Sequence, residues 1–287
     1  RGDASARLPI GVAARMSTLY CPAFLSSIRD VIASLTNYLN DTDVRRFINR
    51  FGSWFIIALA AFLRLWNLGY PSKLVFDETY YVKDAWTLWN TGSEKAWPNE
   101  ANTAFESGSV NVFLNDPSFV VHPPLGKWII GLGMWLFGAE NSYSWRITTA
   151  LLGIAAVALL MMIAKLLFKS TAWALAAGFL FAIDGHAIVL ARTALLDNSL
   201  MFFGLLGFYF LLRDQQQRDI LGLQKFRPWL IAAGVALGAA TAVKWSGLYF
   251  LAVFGFYTFL ADWISRLRLG LKLLPTFLQG AVNALAL

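Results

Sequence analysis

Long apolar runs separated by short polar turns dominate the chain after about residue 50. The clearest are Phe51–Leu68, Ile147–Phe168, Ala172–Leu190, Leu195–Leu212, Trp229–Val243 and Gly247–Ile264, with a further one beginning near Leu273. Hydrocarbon offers no partners to the backbone, so runs of this kind become helices that satisfy their own hydrogen bonds. A crossing takes about 20 mostly apolar residues. The pattern predicts an all-α polytopic membrane helix bundle with about six spans plus the start of a seventh. Trp128–Phe137 is apolar but short, with Pro123 and Pro124 before it and Gly138 after it. That length suits an interfacial or re-entrant helix better than a crossing. Upstream, Phe24, Leu25, Ile28, Val31, Ile32, Leu35, Tyr38 and Leu39 recur at helical spacing. They predict an amphipathic helix lying on the membrane surface, or one that binds a partner.

Composition agrees with the pattern: 57% of residues are hydrophobic, 14% are charged, and mean hydropathy is +0.55. Soluble domains carry closer to a quarter charged residues. The net charge of +7 reads as basic turns kept in the cytoplasm, not as affinity for nucleic acid, and no nucleic-acid partner is expected. Arg45, Arg46 and Arg50 precede the first span and place the N-terminus inside. With Trp128–Phe137 not crossing, the inner turns hold Lys165 and Lys169, then Arg213, Arg218, Lys225 and Arg227, then Arg266, Arg268 and Lys272. The short outer turns hold Arg192 and Lys244. The reading is a cytoplasmic segment, 1–50, followed by a catalytic membrane region, 51–287, with a large first extracytoplasmic loop at 69–146. The expected location is the plasma membrane. Cys21 is the single cysteine, so no internal disulfide is possible. Arg1 is not an initiator, Met16 is the expected start, and Leu273–Leu287 reads as a membrane helix cut short; no signal-peptide pattern precedes the first span.

The ionisable residues gather at the outer face. Asp77 and Glu78 lie about ten residues beyond the first span, in Phe76-Asp77-Glu78-Thr79-Tyr80-Tyr81. Adjacent carboxylates point in different directions, so one acts chemically while the other orients a partner; the bland alternative is two solvated loop acids. Low dielectric near a membrane exit tunes a carboxylate toward general-base work. Arg146 stands before the second span, Arg192 and Asp197 bracket the next outer turn, and Lys244 follows the fifth span. Each cation alone could snorkel. Together, beside an acidic pair, they suit a lipid-borne phosphate. His122, in His122-Pro123-Pro124-Leu125-Gly126-Lys127, reads as a positioning group in a rigid turn, with a role as ligand or base as the alternative. Arg64 reads as a snorkelling residue. Trp86, Trp89 and Trp97 are interfacial anchors or a lining for carbohydrate. There is no Walker loop, dinucleotide fingerprint or zinc spacing, so no metal and no cofactor is expected.

Arg64-Leu65-Trp66-Asn67-Leu68-Gly69-Tyr70-Pro71 followed by Phe76–Tyr81 resembles the opening of the protein O-mannosyltransferases, especially the actinobacterial members. His122–Lys127, Trp145-Arg146, Arg192 through Asp197 and Lys244-Trp245 resemble later landmarks of that family, in the same order. The resemblance runs from about Phe51 to the end. It implies a GT-C type bundle, family members about twice this length, and transfer of mannose from polyprenyl-phosphate mannose to Ser or Thr hydroxyls of exported proteins with inversion at the anomeric carbon. It also implies Asp77 as general base, Glu78 as a positioning group, and Arg146, Arg192 or Lys244 at the leaving phosphate. The alternatives are a related GT-C transferase acting on a lipid or polysaccharide, and half of a transporter.

Overall fold

The computed structural model describes residues 42–221 and 226–285. The expected amphipathic helix at 24–39 lies outside the described residues. The chain divides into two compact units, Arg1–Gly52 and Ser53–Leu287. Of the first, residues 42–52 are described, as the opening of a long helix.

Eleven helices occupy the described residues, with no strand beyond one isolated bridge, Lys95 to Pro117. In chain order they are α1 (Thr42–Leu65), α2 (Glu78–Thr91), α3 (Ala101–Glu106), α4 (Leu125–Phe137), α5 (Ser142–Phe168), α6 (Thr171–Ile183), α7 (Gly185–Ala191), α8 (Leu196–Leu221), α9 (Pro228–Val243), α10 (Gly247–Arg268) and α11 (Leu273–Leu285). Within them, Arg45–Leu65, Ser142–Phe168 and Gly247–Arg268 are individually long and apolar enough to cross a membrane. The pair α6 and α7 passes the same test jointly. α4, α9 and α11 are shorter apolar helices.

Three sequence expectations change here. The run 172–190 is not one straight helix but bends by 64° between α6 and α7. Asp184 sits at the break and accepts a hydrogen bond from Ala187 N at 2.7 Å, capping the new helix. The carbonyls released at the end of α6 still need donors. Arg64 supplies them, to Ala182 O at 3.0 Å and Phe181 O at 3.2 Å. Arg64 is therefore fully buried and does not snorkel. Finally, α5 begins five residues before Ile147, because Asn141 caps it through Ser144 N. Arg146 is thus a residue within the helix, facing the interior.

The segment 69–146 is a folded cap on the bundle, carrying α2, α3 and α4. Its core joins Leu74, Tyr81, Val82, Ala85, Phe105, Ile130, Met134 and Trp145 to Leu196, Leu200, Ala240 and Val243 of the bundle. Trp89 packs between Trp128 and Trp135, and donates to Trp128 O at 3.0 Å. Trp97 packs on Phe105 and Phe113, and Trp86 donates to Asn111 at 3.0 Å. These rings serve packing in the cap. Gly126 allows a close seam with the bundle: a Cβ there would meet Leu196 Cδ2 at 2.6 Å and Val243 Cγ1 at 3.0 Å. The start of α4 therefore lies against the residues next to Asp197 and Lys244.

Candidate active site

The site is organised by a buried ion pair. Glu78 is fully buried and Arg146 is 1% exposed. Arg146 Nε donates to Glu78 Oε1 and its Nη2 to Oε2, both at 2.7 Å, a bidentate fork. Nη1 donates to Pro71 O at 2.8 Å and Leu68 O at 3.4 Å, and Nη2 to Lys73 O at 2.9 Å. An arginine has five N–H donors, and these contacts engage all of them. Glu78 also accepts from Val75 N at 3.0 Å and from Ala194 N at 2.8 Å. One carboxylate thereby ties the turn after α1, the start of α2, the body of α5 and the turn before α8. The family resemblance implied Arg146, Arg192 or Lys244 at the leaving phosphate; in this structure the N–H groups of Arg146 are all bonded within the fold.

Asp77 lies beside this knot but outside it. Phe76 has φ of +52°, a conformation that few side chains adopt, and the resulting turn sets Asp77 at the N-cap of α2. Cap aspartates ordinarily accept a backbone N–H from their own helix. Asp77 has helical φ and ψ and makes no such bond. Its partly exposed carboxylate has no hydrogen bond or ion pair among the described residues.

Around Asp77 stand the other polar landmarks. Lys244, capping the end of α9, donates to Asp197 Oδ1 at 2.7 Å in a partly exposed pair. Trp245 Nε1 donates to Val121 O at 3.1 Å, fixing the chain next to His122. His122 lies 6.2 Å from Tyr81, centroid to centroid. Burial, then the Lys244 and Lys127 charges, pulls the His122 pKa down, against Asp197 and Asp77, which raise it. Tyr81 is pushed up to about 12 by burial and by Asp77, Asp197 and Asp84. The structure thus brings Asp77, His122, Asp197 and Lys244 into one electrostatic neighbourhood. Arg192 stands apart in its bonding: it donates to the carbonyls of Leu63, Arg64, Trp66 and Asn67, closing the C-terminus of α1.

The family model for dolichyl-phosphate-mannose-protein mannosyltransferases matches residues 54–285. The chain belongs to that family. Among curated relatives of the chain is the polyprenol-phosphate-mannose–protein mannosyltransferase of Mycolicibacterium smegmatis. It is 37% identical over 213 residues, which cover 67% of this chain and 37% of the relative. The Mycobacterium tuberculosis protein of the same name is 33% identical over 222 residues, 69% of this chain and 39% of the relative. The chain therefore spans well under half the length of these relatives. The fold is also that of the S. cerevisiae protein O-mannosyltransferase Pmt1–Pmt2 complex, solved bound to the sugar donor. The TM-score is 0.63 at 23% identity, covering 83% of this chain and 31% of that one. This is the GT-C bundle that the motif order implied.

The cap contains a second buried charge cluster that sequence reasoning missed. Lys127, 1% exposed, pairs with Glu94 at 2.7 Å and with Asp84 at 3.5 Å. Lys127 closes the motif that begins at His122, which was a visible signal; Glu94, in a turn without a motif, had none. Burial pushes Asp84 up to about 6, with Glu94 raising it further and Lys127 opposing. A carboxyl whose folded pKa exceeds its unfolded value of 3.8 holds a proton that the unfolded chain has released. Its stabilising contribution is present below the unfolded pKa and is lost as pH rises through about 6. Amide exchange in α2, corrected for intrinsic rates, should therefore show more protection at about pH 4 than at about pH 7 from this group. Asp84→Asn should remove that increment, and an unchanged pH dependence in the variant would assign it elsewhere.

Proposed function

We propose that the complete protein transfers mannose from polyprenyl-phosphate mannose to Ser or Thr hydroxyls of exported proteins, at the extracytoplasmic face of the plasma membrane, with inversion at the anomeric carbon. The observation that carries this reading is the unbonded Asp77 carboxylate, held by the Glu78–Arg146 knot in the same neighbourhood as Lys244, Asp197 and His122. Asp77 takes the acceptor hydroxyl proton as its oxygen bonds to the anomeric carbon. The carbon–phosphate-oxygen bond breaks, and its electron pair leaves with the lipid phosphate. Lys244 meets the charge developing on that phosphate, exchanging part of its bond to Asp197. Asp197 orients the lysine, and His122 lines the site with its imidazole neutral. Family membership favours this over the transporter reading. The positions of the basic turns support a cytoplasmic N-terminus.

The role of Glu78 is positional, and so, on this geometry, are those of Arg146 and Arg192. The anion site then rests on Lys244. In membranes holding the full-length protein, labelled polyprenyl-phosphate mannose and a Ser/Thr peptide should yield labelled peptide. Lys244→Ala should cut turnover by about 10²–10³, the usual cost of removing one group that stabilises developing charge. Lys244→Arg should restore part of it. Unchanged donor kinetics in Lys244→Ala would remove Lys244 from the phosphate, and label appearing on lipid or polysaccharide instead of peptide would replace the acceptor class.

A further inference from the structure

At the end of the bundle opposite Asp77, a cleft of about 490 Å³ opens between α1, α5, α6 and α8. Its walls are largely apolar, with Ile57, Ala158, Met161, Leu166 and Ala174, while Lys165 and Arg213 line it as its cations. Its depth follows from α5. Arg146 and Lys165 lie on that helix 19 residues apart, a rise of ~28 Å at 1.5 Å per residue, close to the ~30 Å thickness of the hydrocarbon core. The candidate active site is thus at one headgroup boundary and the mouth of the cleft at the other.

The two cations differ from their neighbours in how they are compensated. Nearby, Arg227 pairs with both Asp214 and Asp262, so the acids there already have cationic partners. Lys165 instead donates to the Thr171 hydroxyl at 2.5 Å. Arg213 lies with its guanidinium carbon 5.0 Å from the centroid of the Trp229 ring. Among the described residues neither has a carboxylate partner. Two uncompensated cations at the mouth of an apolar cleft, at headgroup depth, match a ligand with one anionic phosphate and a hydrocarbon tail.

We propose that this cleft binds one anionic glycerophospholipid of the leaflet opposite the active site. Lys165 and Arg213 hold the phosphate, and the walls formed by Ile57, Ala158 and Ala174 take the upper part of an acyl chain. The site is separate from the donor site and does not depend on the reaction proposed above.

The full-length protein, reconstituted in equal parts phosphatidylglycerol and phosphatidylcholine and then extracted, can be weighed by native mass spectrometry with its retained lipid. The wild type should keep one phosphatidylglycerol in preference to phosphatidylcholine. Two cations near an anionic headgroup make that preference roughly 30-fold. Lys165→Gln with Arg213→Gln should abolish it. Ala158→Phe, which fills the cleft without touching charge, should lower retention of both lipids. Lys165→Arg with Arg213→Lys should retain the preference, which separates charge recognition from loss of folding. Equal retention of both lipids by the wild type, or a preference that survives the Gln pair and Ala158→Phe, would overturn the proposal. So would a cross-linker at Ala158 that captures another segment of the full-length chain in place of lipid.

Discussion

Asp77→Asn in the full-length protein should lower single-turnover mannosyl transfer by about 10²–10⁴-fold, the usual worth of general-base help, while donor affinity stays close to the wild type. Asparagine keeps the size of the side chain and removes the proton acceptor. The variant is informative because of what Asp77 does not do in the fold. Its carboxylate makes no cap bond to α2 and no ion pair among the described residues. The substitution should therefore leave unfolding temperature unchanged, and a fall in turnover can be assigned to the chemistry. The comparison needs single-turnover rates and donor binding measured on the same preparation, since steady-state values mix chemistry with release. Near-normal transfer in Asp77→Asn would end its assignment as the base, and Asp197 and His122 would be the groups left to consider in that neighbourhood.

Arg146→Ala should act on folding before it acts on catalysis. Removing one partner of a buried ion pair leaves the other as an uncompensated buried charge, at a cost of about 3–5 kcal/mol. Here the loss also strips donors from Leu68, Pro71 and Lys73 carbonyls. Arg146→Lys should also destabilise, by less, because an ammonium keeps the charge but cannot form the fork and reach those carbonyls together. Glu78→Gln should unfold more easily as well, since an amide places N–H donors against the Ala194 or Val75 N–H that the carboxylate accepts. Thermal unfolding of each single variant and of the Glu78→Gln, Arg146→Lys pair, arranged as a double-mutant cycle, should show a large coupling between the two positions. Arg146→Ala with a normal unfolding temperature but lost donor binding would return Arg146 to the phosphate.

The helical, membrane-embedded class of the chain was legible because transfer into hydrocarbon is nearly local. Each run of apolar residues carries its own reason to become a helix, whatever lies elsewhere in the chain. The family was legible for a related reason: its landmarks, from Arg64 to Lys244, keep their order along the sequence. The 64° break at Asp184 was harder to see, because Ala172–Leu190 is apolar on both sides of it and a single aspartate is a weak signal.

The division of labour among the charges was not written along the chain. Asp77, Arg146, Arg192, Asp197 and Lys244 could all be placed near one face by topology. Which of them is spent on structure depends on partners remote in sequence. Glu78 reaches Arg146 across 68 residues and Ala194 across 116, and Arg192 closes a helix more than a hundred residues upstream. Local hydrophobicity says where a helix lies but nothing about which buried donor meets which acceptor. Sequence alone therefore determined the bundle and the family. The tertiary structure decided that Arg146 and Arg192 have their hydrogen bonds committed to the fold, while Asp77 stays unbonded and Lys244 shares a partly exposed pair. The reason is that a desolvated charge must be compensated wherever folding places it, and that compensation is settled only when distant segments meet.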